Sequence, residues 1–214
     1  ESARAQPSEP AVELSEAERT AHLEEIERLI AEMVRLYEQG LYSECEVVSL
    51  QILQLRREAL GPEHLDTLRS MDDLASIYYL QGRYSEAEPL FLRIVEAFER
   101  TLGFEHTETL ESANSLTAIY TAQGRYSEAE PLNLRLVETS ERALGPEHLS
   151  TLDSVHNLAS LYLVQGRYSE TEPLLLRVFE AYERTLGPDH VKTLVSLSYL
   201  AVLYEFQGRY SEAE

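Results

Sequence analysis

This sequence has little positive charge: Lys and Arg number 18 against 38 Asp and Glu, a formal net charge of −20. Such a field repels phosphate backbones and anionic lipid surfaces, which leaves no nucleic acid and no membrane among the expected partners and favours a neutral, apolar or basic one. No apolar run reaches the roughly 18 residues needed to span a bilayer, and no charged start with a short apolar run forms a secretory signal. The chain reads as soluble and cytoplasmic. Its single cysteine, Cys45, excludes an internal disulfide and falls in a helical apolar pattern, where a small buried residue is expected.

Recognisable chemistry is also missing. No strand precedes a Gly-rich phosphate loop, and there is neither a Gly-x-Ser-x-Gly elbow nor a His-Glu-x-x-His helix. His64, His106, His148 and His190 recur at a 42-residue interval. Ligands one repeat apart cannot gather on one ion at about 2.0–2.1 Å, so they are expected to fix loops, with no metal. The acidic pairs of Ser-Glu-Ala-Glu are assigned to helix capping rather than acid–base work. Arg83, Arg125, Arg167 and Arg209 are expected in surface ion pairs. No catalytic residue and no cofactor is expected.

What is present is repetition. Gly-Arg-Tyr-Ser-Glu begins at Gly82, Gly124, Gly166 and Gly208, and a diverged Gly-Leu-Tyr-Ser-Glu begins at Gly40, all 42 residues apart. A stack of such units buries each apolar face only against its neighbours. In the unit Leu65–Gly103, Met71, Leu74, Ala75 and Tyr78 form one helical stripe over roughly Thr67 to Gln81, helix A, ended by Gly82. Ser85-Glu86-Ala87-Glu88 reads as a capping box that starts helix B, with Tyr84 and Pro89 as its staple, and an apolar face continues to Leu102. Gly61-Pro62, Gly145-Pro146 and Gly187-Pro188 then forbid continuation. The unit is helix, tight turn, helix, short loop.

Asn157-Leu-Ala-Ser-Leu-Tyr162, Gln165-Gly-Arg-Tyr-Ser-Glu170 and Leu186-Gly-Pro-Asp-His190 resemble the tetratricopeptide repeat of the 42-residue, kinesin light chain-like type. The resemblance covers about Gly40 to Glu214. It implies an all-α, right-handed superhelical solenoid of stacked antiparallel helix pairs. It also implies that the small residues of helix A (Ala75, Thr117, Ala159, Ala201) pack on those early in helix B (Ala87, Ala129, Thr171, Ala213). The expected organisation is a disordered lead-in or linker over 1–14, then an array over 15–214. The array comprises a degenerate first repeat at 15–64, full repeats at 65–106, 107–148 and 149–190, and a partial fifth at 191–214. In the first repeat Tyr37 is aligned with Tyr78, and Glu32 stands where other copies carry leucine. Ser15 with Glu18 is expected to start its first helix as a capping box. Starting without Met and stopping inside a motif, the chain is expected to be a piece of a longer one.

The resemblance further implies that the A helices line a concave face, where the family binds extended or helical peptides. Residues opposite the stacking stripe are its expected lining: Arg69, Asp72, Asp73, Ser76, Tyr79 and Leu80, then Asn114 and Thr121, then His156, Asn157 and Leu163, then Ser198, Tyr199, Val202 and Phe206. These positions vary while the stacking positions repeat, as a sequence-reading groove requires, and several are apolar where a solvated face would be charged. By resemblance, Asn114 and Asn157 are expected to hydrogen-bond ligand backbone. Carboxylates outnumber cations along this lining, which disfavours the acidic peptides that kinesin light chains take. The leading expectation is a non-catalytic scaffold for a peptide or protein partner. The alternatives are self-assembly through terminal repeats and a regulatory arm of a larger enzyme or signalling ATPase.

Overall fold

The computed structural model describes residues 14–213, and all of the expected lead-in but Leu14 lies outside them. Ten helices follow in pairs: α1 (Glu16–Glu38), α2 (Tyr42–Leu60), α3 (Leu65–Leu80), α4 (Tyr84–Leu102), α5 (Thr107–Ala122), α6 (Tyr126–Leu144), α7 (Leu149–Val164), α8 (Tyr168–Leu186), α9 (Val191–Phe206) and α10 (Tyr210–Ala213). Odd-numbered helices are A helices and even-numbered ones B helices. Two compact units are present, Glu1–Leu90 and Phe91–Glu214.

The helix boundaries have local causes. Each A helix from α3 on opens on the histidine ladder: Nδ1 of His64, His106, His148 and His190 accepts the amide two residues on, at 3.2–3.3 Å. The histidines are therefore N-caps, a role open to any side chain that can accept at that point. A second lock lies one turn further: Thr67, Thr109, Thr151 and Thr193, all buried, donate Oγ1–H to the carbonyl of the glycine six residues back, at 2.8–2.9 Å. Helix α3 ends in a Schellman arrangement. Gly82 at φ +73° bonds Tyr79 O, and the Arg83 amide reaches Tyr78 O.

The B helices start differently from expectation. Ser15 and Glu18 do form the capping box of α1. In the repeats, however, helix B begins at the tyrosine, one residue before the serine, and the N-cap positions Arg125 and Arg167 carry no side-chain cap. An arginine–glutamate clamp replaces the capping box. Arg125 grips Glu128 through Nε and Nη2 at 2.8 and 2.6 Å, and Arg83, Arg167 and Arg209 grip Glu86, Glu170 and Glu212 in the same way. Each guanidinium also lies over a tyrosine of the preceding helix, 3.7–4.3 Å from the ring centroid. Nη1 of Arg167 and Arg209 reaches back to Glu130 and Glu172 of the preceding B helix, at 2.7 and 2.8 Å. The earlier start puts Pro131 at the sixth helical position instead of the first turn, so its missing N–H leaves the Ser127 carbonyl without that partner.

The clamp makes a direct prediction. Arginine bonding holds Glu128 below the usual carboxylate range, so its stabilising effect is present above the ordinary value and lost as pH falls through the depressed one. Glu128→Gln should lower the thermal midpoint at pH 7, whereas Ser127→Ala should leave it in place, as measured by circular dichroism.

The core is segmented. In the first unit Ile26 and Leu29 of α1 meet Val48 and Ile52 of α2. In the second, Leu110, Ala113 and Leu136 form one cluster. Leu152 and Val155 of α7 pack on Val178, Ala181 and Tyr182 of α8. Ala159, Leu163, Leu175, Leu200 and Leu203 then join α7, α8 and α9. Three of these clusters close a helix pair on itself, and the fourth joins the α7–α8 pair to α9 of the next, as a repeat stack requires. Ala75, Thr117 and Ala159, with Ala87, Ala129 and Thr171, are fully buried, and the two threonine hydroxyls donate to carbonyls of their own helices or caps. Ala201 is only half-buried. Tyr37 matches Tyr79 rather than Tyr78: each ring packs on the tyrosine five residues later, Tyr42 and Tyr84, at 5.8 and 5.6 Å. Glu32 is exposed where the other copies bury leucine.

Candidate peptide-binding face

In the first unit α1 and α3 leave an open cleft of about 440 Å³, lined by Met33, Val34, Tyr37 and Glu38 of α1 and by Asp73, Ser76 and Ile77 of α3. Of the expected lining, Asp73 and Ser76 are there. Asp73 is accessible to water, yet burial by the cleft around it pushes its carboxyl above the usual range, with Arg56 acting the other way. Tyr79 lies against Tyr84, Leu80 is exposed, and Arg69 pairs with Asp66 at 2.8 Å. Asp72 is half-buried. The expected lining contains no residue of α1, although Val34 and Tyr37 stand 42 residues before Ser76 and Tyr79.

In the second unit the A helices approach closely and two expected lining residues are removed from the surface. Asn114 is buried, and its Nδ2 donates to Ser154 Oγ at 2.8 Å. Asn157 Nδ2 donates to the Asn114 backbone carbonyl at 3.1 Å. The two amides hold α5 against α7, so Asn114 cannot serve a ligand; Asn157 stays half-exposed. Leu163 is also buried, packed with Leu200 and Leu203. Thr121 donates to Thr117 O and Ser198 to Leu194 O within their helices.

His156 and Tyr199 meet edge to face at 4.7 Å. Beside them Asp153 accepts from Tyr182 Oη at 2.5 Å and from Lys192 Nζ at 2.7 and 2.8 Å, tying α7 to α8 and α9. Burial pushes the Tyr182 phenol up and His156 below its ordinary value, where Asp153 opposes and Lys192 adds to the shift. A histidine whose folded value is depressed by burial costs nothing while neutral above about 6.5; as pH falls from there toward the folded value the unfolded state takes up the proton first and stability is lost. The thermal midpoint should therefore drop as pH falls below about 6.5, with a flatter profile in His156→Gln.

Exposed apolar side chains complete the second unit's face on α9: Val195 (41% exposed), Val202 (40%) and Phe206 (62%), the last stacked on Tyr168 at 5.9 Å. A surface of this kind, presented by the first helix of each pair, can hold a chain segment by apolar anchors and side-chain polar groups.

A tetratricopeptide repeat model matches residues 33–100, 74–142, 108–168 and 151–214. The chain belongs to the tetratricopeptide repeat family. Among solved TPR structures it is similar to two crystal structures of a kinesin light chain-like protein of Podosopora anserina with nearly identical TPR-like repeats. One, a point variant, is 29% identical, with 94% of this chain and 92% of that one covered and a TM-score of 0.70. The other is 30% identical, with coverage of 88% and 90% and a TM-score of 0.67. BtubC (BKLC) from P. vanneervenii, at 17% identity, coverage of 92% and 84% and a TM-score of 0.69, shares the TPR fold. No curated protein matches in sequence. TPR arrays are protein-interaction scaffolds, and among the described residues no helix is long and apolar enough to cross a membrane.

Proposed function

We propose that this chain is a non-catalytic scaffold that binds a peptide segment of a neutral, apolar or basic partner on its A-helix face. The observation that carries the reading is the exposure of Val34, Tyr37, Val195, Val202 and Phe206, all on A helices and all outside the stacking stripe. Apolar groups left in water favour a partner that covers them. A peptide-display selection against the full chain tests this, counter-selected with Val34→Asp and Val202→Asp combined. Both valines are surface residues, so the helices should survive. Enriched peptides should share a motif and bind the double variant at least about tenfold more weakly, the loss expected when apolar anchors are removed. Unchanged binding would refute the reading.

A further inference from the structure

We propose that the α1–α3 cleft of the first unit receives a basic residue next to an aliphatic one from the bound peptide, an Arg or Lys beside a Leu, Ile or Met. This rests on the peptide-binding reading above and names the ligand chemistry of one part of that face. The cleft, at about 440 Å³, falls within the range of roughly 300–1,000 Å³ typical of ligand pockets. Its walls are apolar, from Met33, Val34, Tyr37 and Ile77, and its charged lining is two carboxylates, Glu38 and Asp73, with no basic side chain.

The neighbouring cations are committed elsewhere. Arg56 donates to Asp66 O and Ser70 Oγ, Arg69 pairs with Asp66, and Arg35 lies 4.0 Å from Glu32. The Asp73 carboxylate makes no hydrogen bond or ion pair among the described residues, and its desolvation raises its proton affinity against a smaller opposing pull from the Arg56 charge. An incoming guanidinium or ammonium would relieve that cost, while its own stem and an adjacent aliphatic side chain cover the apolar walls. Asp73 is the group to be neutralised. The −20 charge of the chain adds attraction at longer range and repels an acidic peptide.

The test takes peptides enriched on the full chain and measures their affinity for wild type, Asp73→Asn and the uncharged Val34→Gln, with helicity verified for each. The expected result is a basic–aliphatic pair in the enriched motif. Binding should fall about tenfold or more on Asp73→Asn, the scale of one charge-assisted contact, and Asp73→Arg should prefer the same peptide with Glu in place of its basic residue. Peptides that lose affinity on Val34→Gln but ignore Asp73→Asn would overturn this inference and leave the groove reading standing. Failure to enrich, or binding indifferent to Val34→Gln, would overturn both for this unit.

Discussion

Leu152→Ala should destabilise the second unit by about 2–5 kcal/mol, the range for removing a fully buried leucine and leaving part of its volume empty. Leu152 has no exposed surface and sits among Val155, Val178, Ala181 and Tyr182 where α7 crosses α8. The Tyr182–Asp153 hydrogen bond also holds α8 against α7, so the site has few ways to collapse. The repeat supplies its own control. Leu194 stands at the same register one repeat later and is 48% exposed. Leu194→Ala should therefore cost below about 1 kcal/mol, since much of its area already faces water. Urea unfolding of both variants decides the point: equal losses would mean that register, not burial, sets the energetics of the stack.

Asn133→Leu should instead raise stability by about 1–3 kcal/mol. Asn133 is completely buried, and neither Nδ2 nor Oδ1 has a hydrogen-bond partner. The same register holds Phe91 in the preceding copy and Leu175 in the following one, both fully buried. The fold thus accepts a larger apolar side chain there, and the amide contributes only the loss of its hydration. Thermal melts read the result. A fall in midpoint would show that a buried water satisfies the amide in solution.

How far the sequence alone predicts this molecule follows from what spacing encodes. The 42-residue period, the glycines at positive φ and the Gly-Pro stops locate nearly every helix, because each is a local backbone requirement. The start of helix B escapes such reading because Ser-x-x-Glu fits a capping box, while the competing clamp depends on an arginine whose bidentate reach to Glu128 only three dimensions reveal. Aligning Tyr37 with Tyr78 fails because α1 has diverged; the aromatic pair with Tyr42 restores its register. For the binding face, helical spacing identifies the side of each A helix but not its distance from the next. Close approach in the second unit therefore buries Asn114 and Leu163, and separation of α1 from α3 opens a cleft that uses α1 residues outside the expected lining.

In each unit the A helices, not the B helices, are expected to meet the partner. Methyl NMR of the full chain titrated with an enriched peptide tests it most directly, because exposed methyls report from both faces. Val34, Val195 and Val202 mark A helices, and Leu92 and Leu134, 38% and 47% exposed, mark B helices. Shifts confined to the valines are the predicted result. Shifts at Leu92 and Leu134 with the valines unmoved would contradict it.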